Sequence, residues 1–142
     1  MSRPGLLFLA MAMLAGPLLA APRQPPAPVL TGIDAARADF IAQAGTDTVY
    51  FGNDSTQLGA PAKAVLAAQA LWLRQHPELV VRIEGYGDPG DTRDHALAVG
   101  ARRALEVQDY LVLLGIPSAQ LSAMSWGKER LGAGRAVTIL VR

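Results

Sequence analysis

L-V-V-R-I-E-G-Y-G-D-P-G-D-T-R-D-H-A-L-A-V-G-A-R-R-A, residues Leu79–Ala104, places a strand, a glycine-rich acidic loop and a doubly basic helix in direct succession. Leu79 to Glu84 alternates, with Leu79, Val81 and Ile83 on one face and Val80, Arg82 and Glu84 on the other, as a strand requires. Gly85 and Gly87 allow a tight exit. Asp91 or Thr92 can cap a helix that runs to Leu114, with an apolar stripe of Leu97, Gly100, Ala104, Val107, Leu111 and Leu114, and Gly115 as its stop. A carboxylate and a guanidinium delivered to one cleft can recognise a zwitterion, because Arg offers a bidentate fork and Asp accepts charge-assisted hydrogen bonds. Binding chemistry is therefore expected here, and catalysis is not.

Upstream, Thr48 to Phe51 alternates like a half-buried strand and is broken by Gly52-Asn53-Asp54-Ser55. Pro61 suits the first turn of a helix reaching about Gln75, with Leu66, Ala70 and Leu73 on one stripe and Val65 and Trp72 beside it. His76-Pro77 ends it. A shorter helix is expected from Ile33 to Ala44 as a packing lid. Downstream, strands are expected around Ser122–Ser125 and Ala136–Val141. The resulting order, β-α-β-α-β-β, predicts an α+β fold in which two helices cover one face of a small mixed sheet.

The N-terminus reads as an address label. Arg3 supplies a positive region, Leu6 to Leu19 an apolar core and Ala20-Ala21 a small-residue exit, the pattern of a secretory signal over residues 1–21. The apolar core is shorter than the roughly 20 residues that a membrane-spanning helix needs, so no transmembrane segment is expected after the signal is removed. Residues 22–32, with Pro22, Pro25, Pro26 and Pro28, read as an extended linker, and 33–142 as the folded domain. The chain of 142 residues has no cysteine, which excludes disulfides and a lipidated N-terminal Cys. A formal net charge of +1 offers no broad basic field, so nucleic acid is a poor partner.

Several blocks together resemble a known family: Val49-Tyr50-Phe51 with Asp54-Ser55 and Leu58, Val81-Arg82-Ile83-Glu84-Gly85, Asp88, Arg102-Arg103-Ala104, and Ser125-Trp126-Gly127-Lys128-Glu129-Arg130. They are similar to the OmpA-like domain family, particularly its peptidoglycan-associated lipoproteins, over Thr48 to the C-terminus. The resemblance implies a two-layer OmpA-like sandwich with no enzymatic activity and no cofactor. It also implies a periplasmic module, associated with the cell wall or outer membrane, that binds diaminopimelate-type peptidoglycan through the stem peptide. The matching ligand-binding positions are Asp88 in the loop and Arg103 on the helix, with Tyr86 and Gly87 beside them.

The chain departs from that pattern at Tyr86, Ala96 and Ala98, where the family has His, Asn and Ser, and in a short connection from Gly127 to Arg135. A degenerate domain that serves contacts with envelope proteins is the alternative function. Residue by residue, Asp88 can instead organise a turn, Arg103 can be a solvated residue paired with Glu106, and Tyr86 can cover the sheet edge. Arg102 is expected in solvent, and Trp72 and Trp126 in packing roles. A hydrolase built on Asp88, Asp94 and His95 is disfavoured, since His95 sits in a first helical turn and there is neither a metal-binding His pair at helical spacing nor a nucleophile elbow.

Overall fold

The computed structural model describes residues 31–130 and 134–142. The expected signal segment 1–21 and the linker up to residue 30 lie outside the described residues. The last linker position, Gly32, belongs to the first helix.

Eight elements follow in order: α1 (Gly32–Ala44), β1 (Thr48–Tyr50), α2 (Ala60–Arg74), β2 (Val81–Tyr86), α3 (Arg93–Leu113), a 3-10 turn (Ser118–Gln120), β3 (Leu121–Gly127) and β4 (Arg135–Leu140). The sheet has four strands in the order β1-β4-β2-β3. β4 is antiparallel to both of its neighbours, while β2 and β3 run parallel and are joined across the sheet by α3. This is the mixed sheet expected from the sequence, with all three helices on the described chain. None of the described helices is long and apolar enough to cross a membrane.

Alternation decides which face is covered. Val81 and Ile83 of β2, Ala136, Thr138 and Leu140 of β4, and Val49 of β1 are buried under the helices. From α2 come Leu66, Ala70 and Leu73, and from α3 Ala104, Val107 and Leu111. The expected strand at Leu79–Glu84 lies two residues further on, because Leu79 closes the turn after α2 through its amide on the His76 carbonyl, 3.2 Å. α1 is more than a lid. Its Phe40 meets Trp72 edge-on at 5.1 Å, and its Arg37 donates from Nε and Nη2 to the Leu140 carbonyl at 2.9 and 2.8 Å. Trp72 takes the packing role expected of it, stacked on His76 with its indole N–H given to Asp39 at 2.8 Å.

A polar contact also lies inside the core. The Thr138 hydroxyl donates to Gln69 Oε1 at 2.8 Å, and Gln69 Nε2 donates to the Thr46 carbonyl at 3.0 Å, which ties α2 to the sheet and to the turn before β1. Thr138→Val keeps the shape but strips a buried acceptor of its donor. The expected cost is about 1–3 kcal/mol, read as a lowered denaturant midpoint at unchanged m-value.

α3 starts where the sequence indicates, with the Thr92 hydroxyl accepting from the His95 amide at 3.3 Å. Its buried face keeps Gly100, Ala104, Val107 and Leu111 of the expected stripe and differs in its first turns, where Ala96 stands in for Leu97, and in adding Val99 and Arg103. Ala96, Val99, Gly100, Arg103, Ala104, Val107 and Leu111 face inward, and Leu97 is 49% exposed. A guanidinium thus joins a buried face that hydrophobic periodicity built from apolar residues and glycine alone.

Candidate functional site

Arg103 is the largest fully buried side chain, with 0% exposure. A buried guanidinium must place its N–H groups on acceptors or lose several kcal/mol of solvation. The surrounding backbone supplies those acceptors. Nε donates to the Ser55 carbonyl at 2.8 Å. Nη1 donates to the Tyr86 carbonyl at 2.8 Å and to Asp88 Oδ1 at 3.0 Å. Nη2 donates to the Gly52 carbonyl at 3.0 Å and to Asp88 Oδ2 at 3.3 Å. The Phe51 ring lies 5.3 Å from the guanidinium carbon. One side chain of α3 thus fastens the loop after β1, the end of β2 and the loop after it.

Asp88 is the counter-ion. Its Oδ2 also accepts from the Asp54 amide at 2.7 Å, and its side chain retains 11% exposure. The Arg103 hydrogen bond holds the Asp88 carboxyl below the usual carboxylate range; burial opposes this, and the Asp54 amide supports it. Asp54 is the one non-glycine residue with positive φ among the described residues, at 50°. That backbone turn, normally disfavoured for a residue with a Cβ, aims its amide at Asp88.

The two residues picked from the sequence, Asp88 and Arg103, are therefore brought together in a bidentate ion pair. Arg103 is no solvated partner of Glu106, and Arg102 is exposed. Gly87 adjoins the pair, bridging to Gly127 and Gly134 through its amide and carbonyl at 2.9 and 3.1 Å. It lies so close to α3 that a Cβ there would come within 2.4 Å of the Ala96 carbonyl oxygen. Tyr86 contributes its carbonyl to the pair, and its ring lies elsewhere. The ring shares the face of the sheet opposite the helices with Glu84, to whose Oε2 the phenol donates at 3.1 Å, and Arg135 lies 5.4 Å from the ring centre. Burial, then the Glu84 charge, push the phenol above its ordinary range. As a cleft-lining side chain Tyr86 is displaced, because strand alternation carries it through to the other side.

Sequence reasoning missed the acceptors at Gly52 and Ser55, since a backbone carbonyl carries no residue code. It also missed Asp54. His95, disfavoured as a catalytic base, is exposed, and its Nε2 lies 2.7 Å from Asp54 Oδ1. That hydrogen bond, then the charge of Asp91, raise the imidazole above its ordinary range. Asp94 is exposed and takes no part in the Asp88–Arg103 pair. Trp126 carries the Arg130 guanidinium on its ring at 3.4 Å.

Comparison with known proteins shows the family of this fold. A model of the OmpA family matches residues 50–138. The peptidoglycan-associated lipoprotein of Rhizobium meliloti is 42% identical over 95 residues, which covers 67% of this chain and 53% of that protein. That of Pseudomonas aeruginosa is 41% identical over 98 residues, with coverages of 69% and 58%. The chain thus spans little more than half the length of these relatives. The crystal structure of the peptidoglycan-associated lipoprotein from Burkholderia pseudomallei superposes with a TM-score of 0.65 at 33% identity, over 68% of this chain and 92% of that one. The OmpA-like domain of FopA1 from Francisella tularensis shares the fold, with a TM-score of 0.60 at 22% identity, over 66% and 72% of the two chains.

Proposed function

This chain belongs to the OmpA family, a family of binding domains rather than enzymes, and from that premise we propose that it is a periplasmic peptidoglycan-binding module that recognises the diaminopimelate of the stem peptide. Residues 1–21 serve as its export signal and 22–31 as a spacer, so that the folded part reaches the wall of the cell envelope. The observation that carries the reading is the Asp88–Arg103 pair, set under the loop after β1 with only the carboxylate partly open to solvent. Asp88 takes the ligand's ammonium. Arg103 has every N–H engaged in the free state, so it meets a ligand carboxylate by exchanging an acceptor, the Gly52 or Ser55 carbonyl, as the 52–55 loop gives way. Gly87 and the Tyr86 carbonyl form the floor.

Diaminopimelate differs from lysine by one carboxylate, so the two stem peptides report on that contact alone. Calorimetric titration of the chain is expected to favour the diaminopimelate peptide at least tenfold, the effect of one charge-assisted hydrogen bond of ~1.5–3 kcal/mol. Asp88→Asn, measured at a temperature where circular dichroism shows it folded, is expected to weaken binding of both peptides by a similar factor, since both carry the ammonium that Asp88 takes, and to leave the preference for diaminopimelate. Equal affinity for the two peptides overturns the assignment. Binding of neither, together with capture of envelope proteins by crosslinking, favours the protein-contact alternative.

A further inference from the structure

We propose that Asp54, Asp91 and His95 form a three-ligand site for a divalent transition-metal ion of the zinc type, beside the Asp88–Arg103 pair. One ligand atom from each residue lies within 4.8 Å of the others. His95 Nε2 is 2.7 Å from Asp54 Oδ1 and 3.8 Å from Asp91 Oδ2. Ligands at about 2.0–2.2 Å from a tetrahedral zinc stand roughly 3.4 Å apart, so these separations bracket the ones that a metal imposes. The ion replaces the proton that His95 Nε2 now shares with Asp54.

A second observation is independent of that spacing. Asp91 Oδ2 is shielded from solvent and has no hydrogen-bond donor among the described residues. The cations nearby are engaged elsewhere: Lys128 donates to the Asp91 main-chain carbonyl at 2.6 Å, and Arg93 pairs with Glu129 at 2.6 Å. The 3.8 Å to His95 is beyond hydrogen-bond length. A buried carboxylate oxygen without a donor is stabilised by a cation placed against it.

The positions are fixed by the fold. Asp91 and His95 are four residues apart across the start of α3, where the Thr92 cap holds the first turn. Asp54 is brought over from the loop after β1 and pinned by its amide on Asp88. Imidazole with two carboxylates suits zinc, cobalt or nickel, whereas magnesium and calcium prefer oxygen ligands alone. Three protein ligands leave one tetrahedral position open for water or an anionic oxygen.

The test titrates the purified full chain with zinc chloride and, separately, with cobalt chloride, in a buffer that does not chelate. One equivalent is expected to bind, with visible d–d bands for cobalt in a low-symmetry site. His95→Gln and Asp91→Asn are expected each to weaken binding by at least about tenfold while leaving the metal-free unfolding midpoint in place, since His95 is exposed and the half-buried Asp91 has no hydrogen bond at Oδ2 to lose. Magnesium chloride is expected not to compete. Absence of saturable binding, or binding that survives both substitutions, overturns the site and leaves a hydrogen-bonded charge cluster only.

Discussion

Arg103→Ala is expected to remove about 3–5 kcal/mol of stability, the cost of breaking a buried ion pair from one side. Against a typical domain stability of about 5–15 kcal/mol this leaves a protein that is marginal at physiological temperature. The substitution orphans the Gly52, Ser55 and Tyr86 carbonyls at once and leaves the Asp88 carboxylate buried without its counter-charge. Denaturant titration against the native chain measures the loss.

Its pH dependence separates the charge from the cavity. In the native chain the folded-state Asp88 carboxyl is held low, so its stabilising contribution is fully present above the unfolded carboxyl range, near pH ~3.9, and fades as pH falls through the folded value. In the variant the same carboxyl gains stability by taking a proton. The deficit is therefore expected to be largest near neutrality and to narrow in acid. Adding Asp88→Asn to the variant is expected to recover part of the loss, since it removes the stranded charge but not the three stranded carbonyls. A loss under about 1 kcal/mol, flat with pH, contradicts a structural role for the guanidinium.

How much of this was visible beforehand differs residue by residue. The strand through Val81 and Ile83, the Thr92 cap and the Gly115 stop are local signals, and each element formed where those signals stood, within two residues. The convergence of Asp88 and Arg103 came through the family resemblance. Spacing alone put Arg103 about 13 Å along a helix that starts near Asp94 and required the loop that carries Asp88 to fold back. Periodicity found Gly100, Ala104, Val107 and Leu111 of the buried face of α3 but left Arg103 out, for a definite reason. It scores Arg as polar, so it left residue 103 off the stripe, whereas the guanidinium could face inward because neighbouring carbonyls and Asp88 satisfy it. Glu84, at 3% exposure, escaped for the same reason, since it is held by Arg82 at 2.9 Å and by the Tyr86 phenol. The turn at Gly52-Asn53-Asp54-Ser55 was legible as a break after β1, but nothing local tells what the Asp54 amide faces. That amide meets a carboxylate 34 residues away.

The other large effect expected is at Gly85, which has no unusual backbone angle and is required only for space. A Cβ there would stand 1.8 Å from the Gly100 carbonyl oxygen, 2.8 Å from its carbon and 3.0 Å from the Ala104 amide nitrogen. All three are backbone atoms of α3, so no side-chain rotamer relieves the clash and the whole helix must lift from β2. Gly100 is equally crowded from the other side, with Ser125 Oγ 2.4 Å from its own Cβ position. Arg103 rides on the next turn of that helix, and a shift of an ångström or more takes its N–H groups off the Tyr86 and Asp88 oxygens. Gly85→Ala is therefore expected to cost at least about 3 kcal/mol, the upper end of overpacking, because steric strain and loss of the ion-pair geometry come together. Gly90→Ala is the control: nothing lies within 4 Å of its Cβ position, and its midpoint is expected to stay within about 0.5 kcal/mol of the native value. If the two alanines behave alike, α3 does not rest on β2 through this glycine contact, and the placement of Arg103 has to come from elsewhere in the fold.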